Sequence, residues 1–305
     1  MDLCNRSKNL LTFVVYRGVE KYLRDLLKTI SSQTSKDFDI FVVNDGAHYS
    51  FDNLYDSINR FEILSVSFQT SSENRKSCID YAKQNDYENI VFCDADDLLE
   101  SNYIEEILCG LRSNEFVFCD LHPFKREISE INISFLSKYL SAKKLSLNDV
   151  IDRNLIGLGH SGIRVKTLID IHLPANLIAV DWYIFSNMLL RGSVGKFIDK
   201  PLVHYRQTDS NSVGIIKKVS KKSISYGAKV KEIHYKEMYF NCSEKNSSEK
   251  EMYFSKLKDI TNLISYLENP SYFDQYIKII NNNISILYCG WWSEILTLNE
   301  IKKYE

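Results

Sequence analysis

Residues 91–99 read VFCDADDLL, a short apolar run that ends in three carboxylates, Asp94, Asp96 and Asp97. Open α/β sheets bind their ligands in the crevice at the carboxyl ends of strands. Three neighbouring acids repel one another unless water or a cation faces them, and all-oxygen ligands favour Mg2+, Mn2+ or Ca2+. The stretch therefore predicts a cation site that serves a diphosphate. The alternative is an acidic turn in which Asp97 caps the following helix.

The segments before this stretch alternate between strands and helices. Residues 10–16 and 40–43 are continuous apolar runs, typical of strands buried on both faces of a parallel sheet. Residues 20–30 between them repeat apolar side chains at helical spacing, which indicates a β-α-β unit. A third strand is expected at 63–68, and a helix at 75–83 leads back to the acidic strand.

The same reading continues downstream of the acids. We expect a helix at 102–111, a strand at 116–119, a helix that begins near residue 180 and a strand at 197–203. From residue 249 onward, two helical patterns follow one another. The chain thus reads as an α/β fold with a helical extension, and we place the boundary near Gly214, giving domains 1–214 and 215–305.

Four charged or ionisable residues are candidates for the site. Asp45 ends the second strand, where a carboxylate contacts a nucleotide or shapes a turn. Arg75 opens a predicted helix and either meets phosphate oxygens or stays solvated. His160 lies in a glycine-rich segment and is at least as much a structural histidine as a catalytic one. Asp181 lies in the first turn of a predicted helix, where an N-cap is the simpler role.

Composition narrows the class of protein. The chain has 305 residues, 44% of them hydrophobic and 26% charged, with a net charge of -2. This is an ordinary globular composition, and its charge excludes a general attraction to nucleic acid. The seven cysteines contain no Cys-x-x-Cys pair, which argues against a zinc site or a disulfide framework. With no apolar signal region at the N-terminus, we expect a cytoplasmic protein.

Five segments in order resemble the inverting glycosyltransferases of family 2, which have the GT-A fold, a mostly parallel Rossmann-like sheet flanked by helices. The likeness spans about the first 215 residues and extends to bacterial enzymes of cell-surface polysaccharide synthesis. The segments are 11–23 (strand and "YL" helix), 33–40 ("QTYKDFEI"), 42–46 ("VDDGS"), 94–97 ("DADD") and 195–207 ("EPLVLYRQHGNN").

The resemblance implies roles for the residues that match. Asp45 corresponds to the carboxylate that contacts a pyrimidine base, which implies a UDP- or dTDP-sugar donor. Asp94 corresponds to the acid near the ribose, and Asp96 to the acid on the metal, Mn2+ or Mg2+. The remaining matched positions are the general base, Asp181, and the flap that closes over the donor diphosphate, Arg206 and Gln207.

Three positions depart from the family pattern. Asn44 replaces the first acid of the second-strand motif, which removes one charge from the base pocket. Thr208 stands where relatives have a histidine, and His204 and Asp209 are both open as substitutes. Val180 precedes the expected base where a polar residue is usual, and the local desolvation would raise the pKa of that acid.

We therefore expect an enzyme that moves a sugar from a nucleotide-diphosphate donor to a hydroxyl of a glycan or a lipid-linked glycan. One alternative is a GT-A module that binds nucleotide-sugar without turnover. The other is a nucleotidyltransferase, which the sequence disfavours because no glycine-rich, lysine-bearing loop follows the first strand. Nucleotide release distinguishes these classes.

A basic stretch suggests a location. The lysines between residues 217 and 231, together with Trp291 and Trp292 as exposed aromatics, predict peripheral association with an anionic membrane surface at the inner face of the cell membrane. The alternative is a solvated linker.

Overall fold

The chain divides into two compact units. The computed structural model describes residues 7–49, 51, 60–68, 70–125, 134–140, 145–207 and 218–304. The sheet unit comprises Met1–Leu145, Ile156–Ala175 and Arg191–Asp209. The helical unit comprises Ser146–Leu155, Asn176–Leu190 and Ser210–Glu305. The boundary predicted near Gly214 lies outside the described residues and stays a prediction.

The described part of the sheet unit contains an eight-stranded mixed sheet in the order β3-β2-β1-β4-β7-β6-β8-β5. The strands are β1 (Asn9–Tyr16), β2 (Asp39–Asp45), β3 (Phe61–Val66), β4 (Asn89–Phe92), β5 (Leu98–Leu99), β6 (Phe116–Phe124), β7 (Ser161–Arg164) and β8 (Gly195–Arg206). The flanking helices are α1 (Glu20–Ser31), α2 (Ser71–Gln84) and α3 (Tyr103–Leu111). This architecture confirms the predicted α/β class.

Parallel pairing brings three strand ends to one edge. β1 pairs in parallel with β2 and with β4, and β2 pairs in parallel with β3. The central strands are buried on both faces, as in Leu10, Leu11 and Val42, which are fully buried. Such strands are continuous apolar runs because helices cover both sides of a parallel sheet. The carboxyl ends of β1, β2 and β4 therefore open together.

The sequence misplaced the start of one helix. α2 begins at Ser71, not at Arg75, because a capping box precedes it. The Thr70 hydroxyl accepts the Glu73 N–H, and the Glu73 carboxylate accepts the Thr70 N–H. These bonds satisfy two N–H groups that would otherwise lack partners at a helix start. Arg75 consequently lies in the second turn of α2.

The described part of the helical unit contains three helices that the sequence predicted and three that it did not. Its helices are α4 (Leu147–Val150), α5 (Val180–Leu190), α6 (Lys221–Asn241), α7 (Ser247–Tyr266), α8 (Pro270–Leu287) and α9 (Leu298–Ile301). α7 and α8 confirm the two predicted patterns. α6 includes residues 221–231 of the basic stretch. Among the described residues, no helix combines the length and the apolarity needed to span a bilayer.

The structure corrects the basis of the membrane prediction. Trp291 and Trp292 are each only 6% exposed, so the expectation of exposed aromatics is wrong. Lys231 is also buried and donates a hydrogen bond to the Ile295 carbonyl at 2.8 Å. Lys221 forms an ion pair with Asp274 at 2.7 Å. Membrane association stays a prediction, now resting on the remaining exposed lysines alone.

A buried carboxylate organises the chain around β6. Asp120 is fully buried in β6, where the register with β8 shifts. One of its oxygens, Oδ1, accepts backbone N–H groups of Leu121 at 2.7 Å and Leu136 at 2.6 Å. Oδ2 accepts the Ser137 N–H at 3.0 Å and also the Ser137 hydroxyl. The carboxylate thus fixes residues 135–137 against the sheet.

We expect Asp120→Ala to lower the free energy of unfolding by about 3 kcal/mol, because several buried N–H groups lose their acceptor together. Urea denaturation of the variant and the wild type measures the difference. Asp199→Ala removes an exposed acid of β8 and is the matched control, with an expected change within about 0.5 kcal/mol. Equal midpoints for the two variants would contradict this role of Asp120.

Candidate active site

The carboxyl ends of β1, β2 and β4 carry the polar residues of the candidate site. Tyr16 is the last residue of β1, Asp45 is the last residue of β2, and the acidic stretch 94–97 follows β4. The register places Tyr16 directly beside Asp45. Of the donor-site residues expected from the sequence, this edge brings together Asp45 and the two acids of the Asp-x-Asp pair.

Asp45 links the end of β2 to the start of α2. Its Oδ1 accepts the Phe68 N–H at 2.9 Å, and its Oδ2 accepts the side-chain amide of Asn74 at 2.7 Å. A carboxylate offers about four acceptor sites, so these two bonds leave acceptor capacity. The neighbouring Asn44 closes the turn by bonding both backbone groups of Ala47. Asn44, which stands where the family has an acid, therefore stabilises the turn after β2.

Asp94 is fixed by a cation and by a glycine. Its Oδ1 lies 2.7 Å from Nη2 of Arg75. A Cβ built on Gly159 would lie 2.1 Å from Oδ2 of Asp94, which is far inside contact distance. Any side chain at Gly159 would therefore displace this carboxylate. Gly159 thus permits a close approach of the chain to the Asp94 side chain.

His160 in the same segment is structural. Its Nε2 accepts the Gly157 N–H at 2.8 Å, and its Nδ1 lies 2.8 Å from the Cys119 carbonyl oxygen. This pattern requires a neutral imidazole that donates from Nδ1. Burial lowers the pKa of His160 to about 4, in agreement with the neutral form. Both ring nitrogens are engaged by backbone, which leaves none for chemistry.

Asp97 is a structural acid. It is 3% exposed, and its Oδ1 accepts the Arg206 N–H at 2.8 Å. Burial first, then the charges of Asp96 and Asp94, raise the pKa of Asp97 well above its usual range. The alternative that Asp97 caps the following helix is wrong, since α3 begins only at Tyr103.

Asp96 occupies an acidic and largely enclosed position. Burial first, then the charge of Asp94, raise the pKa of Asp96 to about 6. Partial desolvation, then the charges of Asp96 and Asp94, raise the pKa of Tyr16 to about 12, although 53% of this residue is exposed. Tyr16 therefore belongs to the acidic edge, a residue that the sequence reading missed. Its position as the terminal aromatic of β1 was the available signal.

Arg206 is held beside the acids by several groups. Its Nε donates to the Asp96 carbonyl at 2.6 Å. Its guanidinium carbon lies 4.5 Å from the Tyr22 ring centroid and 4.7 Å from that of Phe124. Cation–π contacts of this kind fix the plane of the guanidinium. Gln207 follows directly, and its N–H donates to the Phe124 carbonyl at 2.7 Å.

Of the two residues open as substitutes for the missing histidine, the structure describes only His204. On β8, its Nε2 lies 2.7 Å from Oε1 of Glu100. The ring also contacts His122, at 5.3 Å between centroids. His204 is thus engaged at the β5 side of β8 by Glu100. Thr208 and Asp209 lie outside the described residues.

Asp181 lies in the helical unit, as the second residue of α5. Its Oδ1 accepts the N–H of the next residue, Trp182, at 2.8 Å. The Trp182 indole in turn donates from Nε1 to the Val150 carbonyl at 2.6 Å. The carboxylate is therefore oriented by the first turn of its own helix.

The chemistry of the Asp94 and Asp96 side chains fits a divalent cation. Within the described ranges, no three His, Cys, Asp or Glu side chains converge in an arrangement that would hold a metal ion. Mg2+ is often held by one or two carboxylates together with substrate phosphates. Two adjacent acids, one of them largely enclosed, match that donor set when a diphosphate completes it.

Comparisons with known proteins agree with this geometry. Residues 12–164 match the model of glycosyl transferase family 2. Among solved structures, S. aureus TarS 1-349 in complex with UDP-GlcNAc is similar, with 14% identity, a TM-score of 0.60 and coverage of 83% of this chain and 72% of that chain. No curated protein matches the chain in sequence.

An archaeal enzyme has the same fold. The mannosyltransferase PcManGT from Pyrobaculum calidifontis, in complex with GDP-Man and Mn2+, has 12% identity and a TM-score of 0.56, with coverage of 93% of this chain and 77% of that chain. At such low identity these likenesses show the fold alone. The family model takes in half of the chain. The chain therefore belongs to glycosyltransferase family 2, and its sheet has the GT-A fold.

Proposed function

We propose that the chain is an inverting glycosyltransferase that moves a sugar from a UDP- or dTDP-sugar to a hydroxyl of a surface glycan or a lipid-linked glycan. The supporting observation is the meeting of Asp45, Asp94 and Asp96 with the cations Arg75 and Arg206 at one sheet edge. A site for a nucleotide-diphosphate requires carboxylates that hold a metal ion and arginines that bind phosphate oxygens. Its expected location is the cytoplasm.

Asp96 and Asp94 are the residues that would hold Mn2+ or Mg2+. When bound, such an ion offsets the negative charge that develops on the departing diphosphate. TarS bound to UDP-GlcNAc and PcManGT bound to GDP-Man and Mn2+ support nucleotide-sugar and metal use by this fold. The fixed position of Asp94 against Gly159 and Arg75 keeps one of the two acids in place before donor arrives.

Arg206 supplies positive charge at the leaving group. Its guanidinium is already held against two aromatic rings and the Asp96 carbonyl, so little reorganisation is needed when the diphosphate forms. Gln207 follows as part of the flap. Arg75 contributes a second cation, shared with Asp94.

Asp181 is the proposed general base. In a single in-line displacement, the acceptor oxygen attacks the anomeric carbon while its proton passes to a carboxylate, and the bond from that carbon to the diphosphate breaks. One acid suffices, because no covalent glycosyl intermediate forms. Positioned bases contribute roughly 100- to 10,000-fold to such a step.

A nucleotide-sugar-binding module without turnover is the second candidate. The departures at Thr208 and Val180 favour it, since each alters a position close to an expected functional residue. It would bind donor without releasing nucleotide. A nucleotidyltransferase would instead release pyrophosphate.

The identity of the donor base can be tested by nucleotide binding. Because the Asp45 carboxylate can accept the N3–H of a pyrimidine, we expect UDP and dTDP to raise the melting temperature more than GDP or ADP at equal concentration. Differential scanning fluorimetry in excess Mn2+ measures this. A larger shift with GDP would show that the base pocket is wrongly assigned.

The metal site is tested through Asp96. Asp96→Ala should weaken UDP binding and remove its dependence on Mn2+ or Mg2+, because the enclosed carboxylate is lost. Calorimetry with and without EDTA measures both effects, and Asp199→Ala, an exposed acid of the same sheet, is the control. Nucleotide binding by the wild type that is equally tight in EDTA would sink the metal assignment.

Asp181→Asn tests the base. The amide keeps the shape of the side chain and its acceptor oxygen for the Trp182 N–H, but it cannot take a proton, so stability and donor affinity should stay the same. Turnover should fall roughly 100-fold or more. Asp274→Asn, on the exposed side of α8, is the control. A variant that keeps more than about a tenth of wild-type nucleotide release removes Asp181 from this role.

A further inference from the structure

Aromatic rings of the helical unit surround the residue next to the proposed base. Trp182, which follows Asp181 in α5, is 1% exposed. The imidazole of His234 on α6 lies parallel to its indole, with centroids 3.9 Å apart and an interplanar angle of 9°. The indole of Trp292 is also stacked on Trp182, at 5.7 Å and 16°. We call these three rings the aromatic stack.

The aromatic stack is connected to the Asp181 carboxylate through the backbone of Trp182. The Trp182 indole is held at its far end by the Val150 carbonyl, 2.6 Å from Nε1. The backbone N–H of Trp182 binds Oδ1 of Asp181 at 2.8 Å. A shift of the whole residue Trp182 would move the N–H that binds the Asp181 carboxylate.

Two features of the aromatic stack are energetically unfavourable. Neither ring nitrogen of His234 has a hydrogen-bond partner among the described residues, although the ring is 1% exposed. Burial first, then the charge of Lys231, lower the pKa of His234 to about 3, so the ring is neutral. Trp292 has a φ of 63°, a left-handed conformation that is rare for a bulky residue. Such costs concentrate at functional sites.

α6 is shaped to approach the aromatic stack closely. A Cβ on Gly227 would lie 3.0 Å from Cδ1 of Trp292 and 2.9 Å from Cδ1 of Ile295. The same helix also carries a residue whose pKa responds to the charge of Asp181. Burial, then the charge of Asp181, raise the pKa of Tyr226 on α6. One helix therefore contacts the aromatic stack and lies near the carboxylate that the stack orients.

We propose that His234 and Trp292 are positioning residues for Asp181, acting through Trp182. They touch neither donor nor acceptor; they hold the first turn of α5 in one arrangement, so that the carboxylate keeps its direction. The proposal rests on the proposed function of Asp181 as the general base. On this proposal the C-terminal helices contribute to catalysis by holding the general base in position.

Hydrogen exchange of the α5 amides tests the positioning directly. His234→Leu removes the flat ring, His234→Phe retains it, and Ile260→Ala removes buried volume from α7 in the same unit as the matched control. We expect His234→Leu to speed exchange in the peptide 179–186 at least tenfold, while His234→Phe and Ile260→Ala leave it within about twofold. Equal acceleration by His234→Leu and Ile260→Ala would overturn the proposal.

Release of UDP from UDP-glucose and UDP-N-acetylglucosamine in Mn2+, with water as the acceptor, is the second readout. His234→Leu should lower the release rate roughly 10- to 100-fold, the loss expected from a small misplacement of a catalytic group, with donor KM unchanged. In an Asp181→Asn background the same substitution should lower the release rate no further, because His234 acts only through Asp181. His234→Phe should restore the rate.

The two readouts separate the two ideas. If Asp181→Asn retains full UDP release, the proposed base is wrong, whatever His234 does. If Asp181→Asn lowers release roughly 100-fold and His234→Leu lowers the residual rate further in that background, the base stands and the positioning role fails. The exchange measurement tests the positioning role even for an enzyme that does not use water as an acceptor.

Discussion

The acidic edge depends on one buried carboxylate. Asp97 accepts the backbone N–H of Arg206 and thereby joins the loop after β4 to the end of β8. The Arg206 side chain returns to the same loop through the Asp96 carbonyl. Removing one partner from a buried polar pair costs the full desolvation of the other. The positions of Asp94 and Asp96 therefore depend on Asp97, an acid with a structural role.

The three neighbouring acids consequently have three different physical situations. Asp97 accepts a backbone hydrogen bond. Asp94 forms an ion pair with Arg75 and lies close against Gly159. Asp96 has a raised pKa in a largely enclosed position. The first two are constrained before any ligand binds. Asp96 gains from an added cation, because burial and the charge of Asp94 penalise its charged form.

Elements with a regular pattern of apolar residues could be predicted from the sequence, whereas elements that form through tertiary contacts could not. The parallel strands were readable because both faces are apolar. β7 was not, because its four residues, SGIR, pair through backbone and have no apolar pattern. α6 was missed for a related reason, since its buried side includes Gly227, Lys231 and His234. The burial of Trp291 and Trp292 likewise follows from tertiary packing that periodicity does not report.

The acids and the proposed base are fixed by different kinds of interaction. Charged and backbone hydrogen bonds hold the acidic loop in the sheet unit, where the ligand is itself charged. Trp182, the residue after Asp181, packs in an uncharged aromatic stack in the helical unit. A neutral support suits a base, because a nearby fixed cation would lower its pKa and weaken its affinity for the proton. A neutral His234 supplies a flat ring without that penalty, whereas a protonated histidine at the same place would impose it.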